Sequence, residues 1–271
     1  MSGFKQKVVS GITYFTIQAF EETGLVDSCF TSRIGGISEN PYESLNLGTK
    51  TADGKENIEK NYDLLFSAIN IPIENGVLSD QVHKDTIKRI TIADRGKGII
   101  SDSDIFEVDG MITNERGIAL VTLHADCVPI YILDPVRQAI GLVHAGWKGT
   151  VLRIAQKALI QMEHFFGTKP KDCLAAIGPS IGNCCYEVDE TIIDKFNQNF
   201  TNLDRFVFFK EKNKYYLDLW EANKNQLEEM GVLQRSITTS NLCTQCNNHL
   251  FYSYRFEKGL TGRMAAILQL K

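Results

Sequence analysis

The chain has 271 residues, 43% of them hydrophobic, a formal charge of −4 and a mean hydropathy of −0.15, the balance of a globular protein with a sizeable core. That weak acidity gives no electrostatic case for nucleic acid or an anionic membrane surface, and no run approaches the roughly 18 apolar residues that span a bilayer. The N-terminus lacks a secretory pattern, so a cytoplasmic location is expected, and the seven cysteines read as thiols and not as a disulfide framework.

In chain order, Ile12–Gln18 reads as an opening strand. Cys29–Ser38 runs into a glycine turn with Arg33 at the break, either a solvated turn residue or a cation waiting for an anion. Asn46 lies between two leucines in a polar loop and has the pattern of a backbone-bonding turn residue. Lys55–Ile69 places Ile58, Tyr62, Leu65 and Ile69 on one helical face. Gly76–Gln81 leads to a strand ending near Val82-His83. Ile87–Ile92 and Gly98–Ser101 are short strand candidates, and Val108–Met111 is a turn before a further apolar run. Ala119–Leu123, Val128–Leu133 and Ala139–Val143 are β-branched strands, the last two joined by the turn signal Asp134-Pro135.

Val151–Phe166 carries a clear 3.6-residue period and stops at Gly167. Cys173–Ile177 and Cys184–Val188 read as strands, Glu190–Phe200 as a helix. Phe206–Phe209 and Tyr215–Leu217 read as a hairpin around Lys212-Asn213. Leu219–Met230 is a helix, and Ser236–Thr239, Phe251–Arg255 and Met264–Leu270 close the chain as strands. No repeat or linker divides it, so one α+β (mixed α/β) domain over 1–271 is expected.

Polar residues gather at the strand breaks around Ala119–Thr150. His124, Asp126 and Cys127 follow the first of these strands, and His144 follows the third, just before Gly146 and Gly149. His83 ends another strand. Two imidazoles and a thiolate make a sensible zinc set, with the fourth tetrahedral position left for water or substrate. The same atoms also permit a Cys127 nucleophile with a His144 base, and a buried thiol is the plain alternative. The turn His144–Gly149, with Trp147 and Lys148, offers N–H groups and a cation to an anion. Cys243 and Cys246 form a C-x-x-C pair that binds metal, cycles as a redox couple, or packs as two structural thiols; Cys184-Cys185 are placed to complete it in space. Arg263 reads as a carboxylate partner within the fold.

Taken together, TSRIGGIS (31–38), SLNLG (44–48), QVH (81–83), the Asp109-Gly110 pair, ADCVPI (125–130), HAGWKG (144–149), GPSI (178–181), CCYEV (184–188), CT (243–244), FYSYR (251–255) and TGRM (261–264) cover nearly the whole chain. In this order they resemble the YfiH/YlmD family, also called laccase-like polyphenol oxidases and peptidoglycan editing factors. The resemblance implies a zinc ion on His83, Cys127 and His144, and an α/β/β/α layered fold related to deamidating toxins with a Cys–His pair. It implies phosphorolysis of adenosine, inosine, guanosine and methylthioadenosine, with deamination of adenosine; purine nucleosides and phosphate would be the partners of a monomer. Arg33, Asn46 and Asp109 carry over as substrate-pocket residues. The editing-factor name implies the competing cysteine hydrolase built on Cys127 and His144. Copper oxidation is disfavoured, because five histidines are too few for a laccase cluster. Two departures stand out: Asn61-Tyr62 replaces a family arginine in the first helix, and His124 stands where relatives often carry threonine. His124 is expected in a surface turn.

Overall fold

The structure, a computed structural model, describes residues 3–211 and 214–271. The strands are β1 (Phe4–Val9), β2 (Ile12–Ile17), β3 (Val26–Thr31), β4 (Gly76–Leu78), β5 (Ile87–Arg89), β6 (Gly110–Thr113), β7 (Ala119–His124) and β8 (Val128–Asp134). They continue with β9 (Ala139–Ala145), β10 (Leu174–Ile177), β11 (Glu187–Val188), β12 (Val207–Glu211), β13 (Lys214–Leu217), β14 (Ile237–Thr239) and β15 (Met264–Leu270). The helices are α1 (Gln18–Glu21), α2 (Lys55–Ala68), α3 (Trp147–Val151), α4 (Ile154–Phe166), α5 (Glu190–Asn199) and α6 (Leu219–Glu229). One six-stranded sheet runs β1-β2-β3-β15-β7-β4, a second runs β14-β10-β8-β9-β6-β5, and β11-β13-β12 form a small third.

Alternate residues of the two large sheets enter different cores, because successive side chains on a strand point to opposite faces. Leu120, Phe30, Met264, Ala266 and Leu268 of the first sheet meet Tyr131, Leu133, Ile140 and Leu142 of the second between the sheets. Val121, Ala265 and Ile267 point outward onto Ile58, Tyr62 and Leu65 of α2. On the far side, Val128, Ile130, Ile132 and Val143 pack against Ile154, Ala158, Leu159 and Met162 of α4 and against α5 and α6. The layers are therefore helix, sheet, sheet, helix. Strands buried on both faces read as continuous apolar runs, as β8 and β9 do.

Several elements differ from expectation. The Val151–Phe166 helix is two, because Arg153 takes φ 63° and breaks the chain between α3 and α4. Phe251–Arg255 is not a strand: Phe251, Tyr252 and Ser253 are buried, but in a turn-rich segment. Gly98–Ser101 contributes only an isolated bridge between Lys97 and Ser101. Cys184–Val188 shortens to Glu187–Val188, its first residues forming a turn. β1, in which the polar run Lys5–Lys7 separates Phe4 from an exposed Val8-Val9, carried no strand pattern. The β12–β13 pairing is present, while the expected turn at Lys212-Asn213 lies outside the described residues.

Candidate metal centre

Two connections cross from the first sheet to the second on the same side of the fold, β4 to β5 and β7 to β8. His83 lies in the first crossing. Cys127 lies in the second, one residue before β8, and the β8–β9 register sets Pro129 opposite His144. The ligand atoms of His83, Cys127 and His144 lie within 4.8 Å of one another. The two imidazoles meet edge to face, with ring centroids 4.9 Å apart. His83 is exposed, Cys127 half-buried and His144 buried, so the cluster is reached from solvent on one side only. Gly146 makes the convergence possible, since a Cβ there would stand 3.0 Å from Cys127 Sγ and 3.1 Å from a His83 ring carbon.

Asp109 holds this arrangement from behind. Its fully buried carboxylate accepts from His144 Nδ1 at 2.9 Å and from the backbone N–H groups of Val82, His83 and Lys84 at 3.2, 2.9 and 2.8 Å. The fan of N–H groups supports His83 at φ 60°, a backbone region that non-glycine residues seldom occupy. Burial alone would raise the Asp109 pKa, but His144 and the backbone donors hold it below the usual carboxylate range. An ionised carboxylate only accepts, so Nδ1 of His144 carries the proton and Nε2 is left for the cluster. Asp109 therefore does not line the cavity; it is a positioning residue.

The cluster is strongly polarised without an ion. Burial would push the Cys127 thiol up, yet His144 and His83 bring it down to about 6. Burial would push His144 down, yet the Cys127 thiolate and Asp109 bring it up to about 9. His124 is not in a surface turn, as expected from sequence, but 1% exposed. Its Nδ1 donates to the Cys127 carbonyl at 3.1 Å and its Nε2 accepts from Thr122 Oγ1 at 2.8 Å. Burial, with the nearby His144 charge, holds its pKa well below the ordinary value. Both nitrogens are engaged inside the protein, so His124 braces the Cys127 turn and offers no ligand atom.

The cluster opens into a cavity of about 600 Å³. Trp147, Tyr186 and Tyr254 supply aromatic wall, and Lys50, Lys148, Arg255 and Arg263 supply cations. Arg33 is not among the lining residues. Its guanidinium pairs with Glu257 at 3.0 Å, donates to the carbonyls of Glu43 and Asn248, and lies 4.5 Å from the centre of the Tyr252 ring. Asn46 also stands behind the wall, where Oδ1 accepts from the N–H groups of Gly48 and Arg263 at 3.0 and 2.9 Å. Asn61, at the departure in the first helix, binds Ser38 and the carbonyls of Ser44 and Asn46 and so shapes the same loop. Arg263 has no carboxylate partner among the described residues. It donates to the Thr261 and Gly262 carbonyls, and burial lowers its pKa. Sequence reasoning took Arg263 for a carboxylate partner and did not place Arg255 or Arg263 at the site. Their signal was present, two arginines near the chain end, but nothing local tied them to a cavity.

A family profile described as multi-copper polyphenol oxidoreductase laccase matches residues 27–271, and the chain belongs to that family. It is 37% identical over 243 residues to the purine nucleoside phosphorylase YlmD of Bacillus subtilis, covering 89% of this chain and 87% of that one. It is 31% identical over 245 residues to the purine nucleoside phosphorylase YfiH of Escherichia coli, covering 90% and 94%. The crystal structure of YlmD from Geobacillus stearothermophilus superposes with a TM-score of 0.93 at 34% identity over the whole of both chains.

Proposed function

We propose that this chain is a zinc-dependent purine nucleoside phosphorylase acting on adenosine, inosine, guanosine and methylthioadenosine, with adenosine deaminase activity. The observation that carries the reading is the convergence of His83, Cys127 and His144 at a cavity that also holds Arg263, a cation with no carboxylate partner among the described residues. The names of the B. subtilis and E. coli relatives supply the substrate class. The donor set fits zinc: three ligands of mixed nitrogen and sulfur type leave an open position. Zinc bound there would supply a Lewis acid for an anion or a water molecule. A laccase cluster does not fit, because His124 is internally bonded and His164 and His249 are exposed elsewhere.

In phosphorolysis an oxygen of hydrogen phosphate bonds to the sugar C1′ as the C1′–N9 bond breaks, and the proton given up by the phosphate ends on the leaving purine. Arg263 and Arg255, which line the cavity, take the phosphate charge, while Lys50 is held by Asp80. Trp147, Tyr186 and Tyr254 offer faces on which a purine stacks. Asp109 keeps His144 in the tautomer that presents Nε2 to the cluster, and Gly146 leaves room for Cys127 beside His83. The enzyme works as a cytoplasmic monomer on this reading, in keeping with seven unpaired cysteines among the described residues.

The polarised Cys127–His144 pair favours one second reading, a cysteine amidase that edits cell-wall precursors. The two separate on one assay. Purified protein given adenosine or inosine releases free base only when inorganic phosphate is supplied if the first reading holds. Turnover of amide substrates without phosphate, persisting after metal removal and abolished by thiol alkylation, overturns it in favour of the second.

A further inference from the structure

We infer that Cys184, Cys185, Cys243 and Cys246 form a second metal site, a tetrathiolate zinc centre that clamps the cavity wall from outside. The four sulfur atoms lie within 4.8 Å of one another. Cys246 Sγ is 3.5 Å from Cys184 Sγ and 3.4 Å from Cys185 Sγ. Tetrahedral zinc with Zn–S bonds of about 2.3 Å separates its sulfurs by about 3.8 Å, so the four thiols already stand near ligand spacing. They are far beyond the roughly 2.05 Å of a disulfide, and all four are free thiols.

The backbone explains how four sulfurs meet. Neighbouring residues on a strand point to opposite faces, but Cys184 and Cys185 lie in the turn that precedes β11, where both side chains face one point. The C-x-x-C segment comes from 58 residues after Cys185 (243 − 185) and supplies the other half. The Gly182 N–H donates to Cys243 Sγ at 3.3 Å. A backbone donor aimed at a cysteine sulfur is the outer support that a metal-bound thiolate uses. All-sulfur donors select zinc or another thiophilic ion over magnesium or calcium. Cys184 and Cys246 are exposed, which gives an ion a path in.

A clamp here bears directly on the cavity. Thr244, beside Cys243, donates to Asp126 Oδ1 at 2.6 Å, and the Ile181 N–H donates to the Asp126 carbonyl at 3.0 Å. Asp126, Ile181 and Tyr186 all line the cavity. The centre touches no reacting group; it fixes the two loops that carry this wall.

The test is zinc content of the full chain, expressed with zinc and measured by elemental mass spectrometry, for wild type, Cys127→Ala and Cys246→Ser. Two equivalents are expected in the wild type and one in each variant. If only the tetrathiolate centre exists, the wild type holds one equivalent, kept by Cys127→Ala and lost by Cys246→Ser; that supports this inference while removing the catalytic metal. Because Cys246→Ser can disturb folding, metal-free Cys127→Ala is also titrated with cobalt. A thiolate-to-cobalt charge-transfer band saturating at one equivalent, with four cysteines protected from alkylation, supports the site. Zinc-free Cys127→Ala, no such band, or an intact mass showing these cysteines disulfide-bonded overturns it.

Discussion

Replacing Asp109 with asparagine tests whether the site is assembled from behind. The two carboxylate oxygens divide their donors evenly: Oδ1 serves His83 N and His144 Nδ1, and Oδ2 serves Val82 N and Lys84 N. An amide has one accepting oxygen, so whichever way the substituted side chain turns, its NH2 opposes two donors. If the NH2 faces Val82 and Lys84, their amides lose an acceptor and the His83 loop is released. If it faces His144, the imidazole moves its proton to Nε2, the atom that faces Cys127 and His83. Two charge-assisted hydrogen bonds at about 1.5–3 kcal/mol each set an upper range of about 3–6 kcal/mol on stability, reduced by whatever the half-exposed loop regains from water. Loss of such a partner costs a metal site about 10–100-fold in affinity. The assays are denaturant unfolding and zinc competition against a chromophoric chelator. Wild-type zinc affinity together with an unchanged unfolding midpoint would refute the reasoning. The sign with pH is also set. The folded Asp109 pKa lies below its ordinary value, so its stabilisation is complete above the usual carboxylate range and is lost as pH falls through the lowered value.

Gly146→Ala needs no change in backbone, since φ is −70°, but its Cβ falls 3.0 Å from Cys127 Sγ; zinc content is expected to drop with secondary structure by circular dichroism intact, and full occupancy would count against the crowding argument. Alkylation of metal-free protein, followed by peptide mass mapping, should show Cys127 reacting with a midpoint near pH 6, while Cys184, pushed up to about 12 by partial desolvation and by the Cys246 and Cys243 thiols, lags far behind. The folded Cys127 pKa is depressed, so its contribution to the metal-free fold is full above the ordinary thiol pKa and disappears as pH falls through about 6. Arg33→Ala breaks a largely buried ion pair and is expected to cost about 2 kcal/mol of stability with the Michaelis constants unchanged. Arg263→Gln should do the reverse, raising KM for phosphate about tenfold or more while unfolding at nearly the wild-type midpoint; equal effects of the two arginines on KM would contradict their placement.

The meeting of His83, Cys127 and His144 was legible because they sit at ends of apolar runs, where a polar side chain has no core to enter. The layered cores were legible for the same reason: Ala119–Leu123, Val128–Leu133 and Ala139–Val143 are the centres of β7, β8 and β9. What stayed hidden depends on contacts across long stretches of chain. His124 has the local setting of a turn residue, and contacts distant in sequence bury it: Met264 stands opposite it on β15, and the rings of Phe30 and His144 pack against it. Arg33 is neither the solvated turn residue nor the waiting cation that local sequence offered, because Glu257, 224 positions away, captures it. The Arg153 break was hidden because the 3.6-residue pattern continues in phase on both sides of it, with Val151 and Ile154 both buried.

The same long-range view explains why the trio sits where it does. His83 and Cys127 belong to the two chain segments that pass from the first sheet to the second, and His144 belongs to the second sheet alone. A polar cluster at the middle of either sheet would have to interrupt a ladder or a core. At the crossings the backbone is already released from strand pairing, so it can direct its N–H groups at Asp109 and accept a positive φ at His83 and at Asp126. The two sheets are locked together by the apolar layer between them, which keeps the crossings at a fixed separation without any ion. The donor atoms are thus held by the sheets, and the loops need only aim them. This division of labour places the donor set on rigid supports, and the chain segment that returns through Cys243 and Cys246 ties to the same crossing where Thr244 and Arg255 bind the Asp126 carboxylate.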